Sequence, residues 1–188
     1  KDYNFIDSIV KGHEIVFHLA ALISIPYSYK SFSSFLDTNV IGTSNILTAG
    51  KKNKVKKIII TSTSEVYGSA QYVPIDEKHP LNAQSPYAAS KIAADQLSMS
   101  FCKSFDLPVA IIRPFNTFGP RQSTRAIIPT VITQALQGKN IKLGNIKTIR
   151  DFTYYKDTIE GFISCMKRKN VIGETINIAS GYEIEIRK

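Results

Sequence analysis

Tyr87 and Lys91 stand four positions apart in "SPYAASKIAADQ" (85–96). Ser85 can N-cap a helix and Pro86 suits its first position, so the two side chains share a helical face. A free phenol has a pKa of about 10 and is a poor base near neutrality. A neighbouring cation stabilises the phenolate and is expected to draw that value down. Tuned this way, and helped by a positively charged nicotinamide ring, Tyr87 can take a proton from an alcohol or sugar hydroxyl while hydride leaves the same carbon. In a chain with nine Tyr, about one Tyr-x-x-x-Lys arises by chance. Taken alone, an exposed pair on an amphipathic helix accounts for it as well.

"TSTSEVYG" (61–68) narrows the choice. Thr63, Ser64 and Glu65 follow an apolar run that reads as a buried strand. A hydroxyl there can bond a substrate oxygen or the phenol, and a partly desolvated Glu65 can move a proton. The same residues also suit a helix N-cap with an acidic first turn.

The elements that must hold these groups alternate. Strands are expected over "EIVFHLA" (14–20), "KKIIITST" (56–63), "LPVAIIRP" (107–114) and "ETINIAS" (174–180). Helical spacing covers 34–52, 86–105, 125–139 and 155–169, and residues 68–85 read as a loop. Continuous apolar strands separated by helices predict an α/β fold, a Rossmann-like doubly wound parallel sheet with both faces covered, together with part of a smaller substrate-binding domain. Ligands bind such sheets at the carboxyl ends of the strands. Attention therefore falls on "HLAA" (18–21), "TSTSEVYG" and "RPFNTFGPRQ" (113–122).

The 188 residues are 43% hydrophobic and 21% charged, ordinary values for a globular chain. The net charge of +9 admits an anionic partner, but "KKNKVKK" (51–57) lacks aromatic interleaving and reads as a solvated lysine surface. No nucleic-acid partner is expected. Two cysteines without a Cys-x-x-Cys suggest core packing rather than a disulfide framework or a thiolate site. Three scattered His make no metal site. No run is apolar enough to span a membrane and no secretory signal is visible, so a cytoplasmic location is expected. A dinucleotide fold carries a Gly-rich turn after its first strand, whereas the two most closely spaced glycines here are Gly138 and Gly144, so no such fingerprint is present. Together with the abrupt ends, this leads us to expect a piece of a longer protein whose first strands and C-terminal end lie outside it.

With "HLAA", "TSTSEVYG", "SPYAASK" and "RPFNTFGPRQ" in this order, the chain resembles the extended short-chain dehydrogenase/reductases, in the nucleotide-sugar branch of 4,6-dehydratases, 4-epimerases and UDP-glucuronate decarboxylases. The phrases "AALISIPYSY", "TSTSEVYGSAQYVPIDEKHPL" and "RPFNTFGPRQSTRAIIPT" are most similar to bacterial dehydratases that act on UDP- or GDP-linked N-acetylglucosamine for legionaminic-type sugars. The resemblance implies NAD as cofactor, with NADP also open, a nucleotide-sugar substrate, and a homodimer at full length. It implies a dinucleotide-binding portion over 1–115, part of a substrate-binding region over 116–170, and a returning strand with the start of the C-terminal part over 171–188. Ala20, Ala21, Asn39, Ser62 and Phe115 would line the cofactor, with Tyr87 and Lys91. Thr63, Ser64, Glu65, Tyr87 and Lys91 would be catalytic, and Asn116, Arg125 and Arg150 would meet the substrate. "TIRDFTYYKD" (148–157) matches the family segment Arg-Asp-x-x-Tyr-x-x-Asp. Many dTDP-glucose dehydratases carry Asp where this chain has Ser64. That leaves the acid assisting water loss open, and leaves decarboxylation open as well. A small apolar residue usually replaces Glu65 in 4-epimerases. A catalytically silent nucleotide- or RNA-binding relative is the non-enzyme alternative.

Overall fold

The computed structural model describes residues 2–187; Lys1 and Lys188, the outer bounds of the portions named above, lie outside the described residues. The chain runs α1 (Tyr3–Val10), β1 (Ile15–His18), α2 (Ile25–Ser28), α3 (Phe32–Phe35), a π-helical stretch (Leu36–Ile41), α4 (Gly42–Lys52), β2 (Lys57–Thr61) and a 3₁₀ turn (Ser64–Tyr67). It continues α5 (Pro86–Phe105), β3 (Val109–Pro114), β4 (Asn116–Phe118), α6 (Ile127–Leu136), β5 (Ile149–Tyr154), α7 (Tyr155–Lys167), β6 (Thr175–Ile178) and β7 (Glu183–Glu185).

The four expected strands form one parallel sheet, in the order β1-β2-β3-β6. Period-two alternation divides its side chains between two faces. Ile58, Ile60, Val109 and Ile111 point to one face, where they pack with Leu47 and Ala49 of α4 and Val10 of α1. Ile59 and Ile112 point to the other, against Cys165, Phe162 and Met166 of α7. Both cysteines are unpaired and helical, as expected. Covering both faces explains why β2 and β3 read as unbroken apolar runs.

β1 departs from the expectation of a buried strand. It pairs with β2 on one side only, and Ile15 and Phe17 are 36% and 38% exposed. The helix expected over 34–52 begins at Phe32 and passes through a π-helical stretch at residues 36–41. A small second sheet, β4-β5-β7, was not expected, because strands of three to six residues with mixed burial carry little periodic signal. α5 spans the predicted residues. The Ser85 hydroxyl accepts the Ala88 amide proton at 3.1 Å, and Asp106 ends the helix in a left-handed conformation.

Gly68 closes the 3₁₀ turn with φ +66, and a Cβ placed on it would come 2.4 Å from the Asn82 carbonyl oxygen. That contact is with backbone and cannot be relieved by a rotamer change. Gly68→Ala is expected to destabilise the protein by about 1–3 kcal/mol, read as a lower urea midpoint with an unchanged m-value.

Candidate active site

Tyr87 opens the first turn of α5 and is 6% exposed, its ring edge-on to Phe35 with centroids 6.2 Å apart. The Thr63 hydroxyl and the Glu65 carboxylate are both close enough to act on its ionisation, the first lowering its pKa and the second raising it. Thr63 is in turn fixed as the N-cap of the 3₁₀ turn, its hydroxyl accepting the Glu65 amide proton at 3.2 Å. The capping reading and the catalytic reading of "TSE" are therefore compatible. The cap holds hydroxyl and carboxylate at the carboxyl end of β2, where the phenol lies. Ser64 sits half-buried in the same turn.

The electrostatics correct one expectation. Lys91 was expected to lower the phenol's pKa, but the Tyr87 hydroxyl is pushed up to about 12. Burial is the main cause; the Glu65 and Asp95 carboxylates add to it, and only the Thr63 hydrogen bond opposes it. Lys91 is turned elsewhere: its ammonium donates to the Thr61 carbonyl at 2.6 Å, beneath the sheet end. It is 3% exposed, and burial lowers its pKa while Asp95 raises it.

The expected cofactor-lining residues gather along one sheet edge. Parallel register sets His18 beside Ile60 and Thr61 beside Ile112, so Ala20–Ala21, Ser62–Thr63 and Phe115 all follow carboxyl ends of neighbouring strands. Asn39 is buried and fully engaged. Its carbonyl accepts the Leu22 amide proton at 2.8 Å, and its amide donates to the Leu22 carbonyl and the Ser90 hydroxyl, each at 2.9 Å. It therefore pins the Ala20–Ala21 loop to α5. Ser62 turns its hydroxyl inward to Asp95, at 2.8 Å, leaving its backbone toward the edge. The two alanines add no side-chain bulk, so a dinucleotide can approach the backbone there, and the residues fit such a ligand.

The substrate candidates are more scattered. Asn116 is half-buried and donates to the Asp151 carbonyl at 3.2 Å. Arg125 and Arg150 are exposed, and Arg150 donates to the neighbouring Ile149 carbonyl at 2.8 Å. Among the described residues, no hydrogen bond or ion pair joins either arginine to Tyr87, Thr63 or Glu65. A cavity of about 240 Å³ is lined by Phe118, Gly119, Gln122 and Tyr155, and neither of these two arginines lines it. A second, of about 400 Å³, lies against α7 and β6 and contains none of the catalytic candidates.

Two residues were missed. Asp95 and Arg113 form a buried ion pair at 3.0 Å, with side chains 2% and 5% exposed. Arg113 also donates to the Tyr67 hydroxyl at 2.9 Å. The signals were visible: Asp95 lies one helical turn beyond Lys91, and Arg113 ends an apolar strand where a charge needs a partner.

The family model described as GDP-mannose 4,6 dehydratase matches residues 1–188. The chain belongs to that family. A dTDP-D-glucose 4,6-dehydratase of Dictyostelium discoideum is 38% identical over 183 residues, covering 91% of this chain and 42% of that protein. A UDP-N-acetyl-alpha-D-glucosaminuronate decarboxylase of Bacillus cytotoxicus is 38% identical over 196 residues, covering 100% and 60%. The chain thus spans roughly half the length of these family members. Among solved structures, a UDP-glucuronic acid 4-epimerase from Bacillus cereus in complex with UDP-glucuronic acid and NAD superposes with a TM-score of 0.93 at 32% identity, over 100% of this chain and 61% of that one. The dTDP-glucose 4,6-dehydratase DesIV from Streptomyces venezuelae, in a double mutant with NAD and DAU bound, gives a TM-score of 0.93 at 30% identity, over 99% and 58%. No helix among the described residues is long and apolar enough to cross a membrane.

His18, at the end of β1, belongs to the scaffold of this family member's sheet edge. Its Nε2 lies 3.0 Å from the Thr43 hydroxyl, and burial, with Lys91 nearby, depresses it from 6.5 to about 4. The unfolded chain binds this proton below pH 6.5, whereas the folded chain refuses it until about pH 4. Stability therefore falls as pH drops through that window, by on the order of 3 kcal/mol. Measured by urea unfolding, the stability of wild type relative to His18→Gln should decline by that amount between pH 7 and 4. Parallel curves would exclude a neutral buried His18.

Proposed function

We propose that the full-length protein is a nucleotide-sugar 4,6-dehydratase, a hydro-lyase of surface-glycan precursor synthesis. It would convert UDP- or GDP-N-acetylglucosamine, or a related nucleotide hexose, to the 4-keto-6-deoxy sugar. The observation that carries this reading is the convergence of Tyr87, Thr63 and Glu65 on one sheet edge. Family membership and NAD in the named relatives' complexes support it. In this reading residues 1–115 are the dinucleotide-binding portion, 116–170 contribute to substrate binding and 171–188 return to the sheet. The full-length protein would be a cytoplasmic homodimer.

Ala20, Ala21, Ser62, Phe115 and Lys91 would hold the dinucleotide, with Asn39 keeping the Ala20–Ala21 loop in place. When bound, NAD supplies a reversible hydride acceptor and a positive ring charge. As the phenolate, Tyr87 would accept the sugar O4 proton, with the Thr63 hydroxyl beside it. With its pKa near 12, it becomes a useful base only when positive charge enters its pocket. A ketone at C4 acidifies the C5 proton, which Glu65 removes as the C6 hydroxyl departs as water; Glu65 would then return a proton to C5 as the hydride taken from C4 is delivered to C6, which completes the 4-keto-6-deoxy sugar. Glu65 or a water held by Ser64 assists that departure. Asn116 binds the sugar nucleotide. Arg150 meets the diphosphate with its guanidinium fork, and Arg125 is a second candidate for that anion.

Decarboxylation of a UDP-uronate is the second reading. The Bacillus cytotoxicus relative, 38% identical across this whole chain, favours it. Incubating the full-length enzyme with a panel of nucleotide sugars separates the two by loss of water or of carbon dioxide. Tyr87→Phe should lower kcat by about 10²–10⁴-fold with an unchanged circular dichroism spectrum. Near-normal turnover would remove Tyr87 from the chemistry. Glu65→Gln should abolish deuterium exchange at C5 while the bound nicotinamide still becomes partly reduced; persistent exchange would reassign the C5 base.

A further inference from the structure

Behind Tyr87 and Lys91, the same face of α5 ends in a carboxylate that no ligand can reach. Asp95 is 1% exposed, one turn beyond Lys91 and two beyond Tyr87. Its Oδ2 receives three donors: the Ser62 hydroxyl at 2.8 Å, Arg113 Nε at 3.1 Å and Arg113 Nη2 at 3.0 Å. Its Oδ1 has no hydrogen-bond partner among the described residues. Three donors on one oxygen suit an ionised carboxylate. Lys91 and Arg113 are 3% and 4% exposed; Arg113 pairs directly with Asp95, while Lys91 sits on the carbonyl of Thr61, the neighbour of the Ser62 that bonds Asp95, and feels the carboxylate's charge without an ion pair among the described residues.

We propose that Asp95 is a positioning residue: it is the buried counter-charge that keeps the Lys91 ammonium seated on the Thr61 carbonyl, and it locks α5 to the ends of β2 and β3. The lock is specific in its geometry. Ser62 directly follows β2 and precedes Thr63, while Arg113 lies near the end of β3. One carboxylate therefore fixes the helix bearing Tyr87 and Lys91 relative to the turn bearing Thr63 and Glu65. The proposal rests on the functional reading for its catalytic consequence, but not for its structural content. The charged and titratable groups around Lys91 are Asp95 on its own helix, His18 on β1, Arg113 on β3 behind Asp95, and Tyr87 with Glu65 beside it. Of these, Asp95 is the buried carboxylate that favours the ammonium. Its negative charge also opposes phenolate formation on Tyr87, so its place two turns away favours the cation at limited cost to the base.

The test uses the full-length protein with ¹³C-labelled lysine and no added ligand, the Lys91 Cε resonance being assigned with Lys91→Arg. In wild type, Lys91 should remain protonated at pH 7; a titration midpoint below 7 would overturn the proposal without any further variant. In Asp95→Asn the midpoint should drop by about one pH unit or more, and an unchanged midpoint would overturn it. Should that variant fail to fold, Asp95→Asn/Arg113→Gln removes the buried Arg113–Asp95 pair as a unit, leaves Lys91 with the Thr61 carbonyl, and is read the same way. Ser62→Ala keeps both charges and should leave the Lys91 midpoint in place. In the folded Asp95→Asn protein, the alkaline limb of the kcat profile should move down by the same interval as the Lys91 midpoint, with KM little changed. Loss of turnover in Tyr87→Phe tests the dehydratase reading; the Lys91 titration tests this one, so either can fail without the other.

Discussion

A charge cannot be left alone in a packed interior, and much of this site follows from that constraint. Asp95, Arg113 and Lys91 are each less than 5% exposed. Replacing such a pair by well-packed apolar residues often costs nothing, whereas removing one partner costs about 3–5 kcal/mol. The pair is therefore weak evidence for added stability and stronger evidence for a fixed arrangement. Arg113 reaches Tyr67, Tyr67 donates to the Asn177 side chain at 2.8 Å, and the Asn177 amide donates to Glu77 at 2.8 Å. One buried carboxylate is thus linked to β3, to the 3₁₀ turn, to β6 and to the 68–85 loop. The polar path crosses the sheet exactly where an apolar core would leave these elements free to slide.

The same burial sets the chemistry. Removing Tyr87 from water raises its pKa toward 12, and two carboxylates push in the same direction. A side chain on the same helical face was expected to counter this, but Lys91 instead seats its ammonium on the Thr61 carbonyl, which only the fold brings near. The phenol is consequently kept protonated by its surroundings. A phenol in that state cannot accept a proton, so its use as a base depends on positive charge entering the pocket to draw the proton off. Among its neighbours the Thr63 hydroxyl works the other way, favouring the phenolate.

Much of this was legible in the residues, for identifiable reasons. α5 was readable to its ends because Ser85 and Pro86 mark a start by hydrogen bonding and by fixed φ. β2 and β3 were readable because burial on both faces demands apolar residues at every position. β1 misled, because its apolar residues imply a second neighbour that the described strands do not include. β4, β5 and β7 were hidden by their length, and the π-helical stretch because residues 36–41 keep helical spacing. Within the site, the residue types in "TSE" and "YAASK" were enough to bring Thr63, Glu65 and Tyr87 together. The direction taken by Lys91 was not readable, since it depends on a carbonyl thirty residues away in sequence.

The second sheet shows how a motif can carry two duties. In "TIRDFTYYKD", Asp151 spends its carboxylate on the turn after β6: Oδ1 accepts from the Ser180 amide at 2.9 Å and the Ser180 hydroxyl at 2.8 Å, and Oδ2 from the Gly181 amide at 2.8 Å. Its carbonyl also receives Asn116. Asp151 thereby binds β5 to β4 and to the chain leaving the main sheet. Arg150 is the adjacent residue in an extended strand, so its side chain must point to the opposite face, which is the exposed one. The structural carboxylate therefore determines which way the guanidinium faces. An arginine so oriented can meet a diphosphate from solvent without competing for the buried anion that Arg113 already holds. The interior cation and the surface cation are kept distinct by strand alternation at one site and by ion pairing at the other.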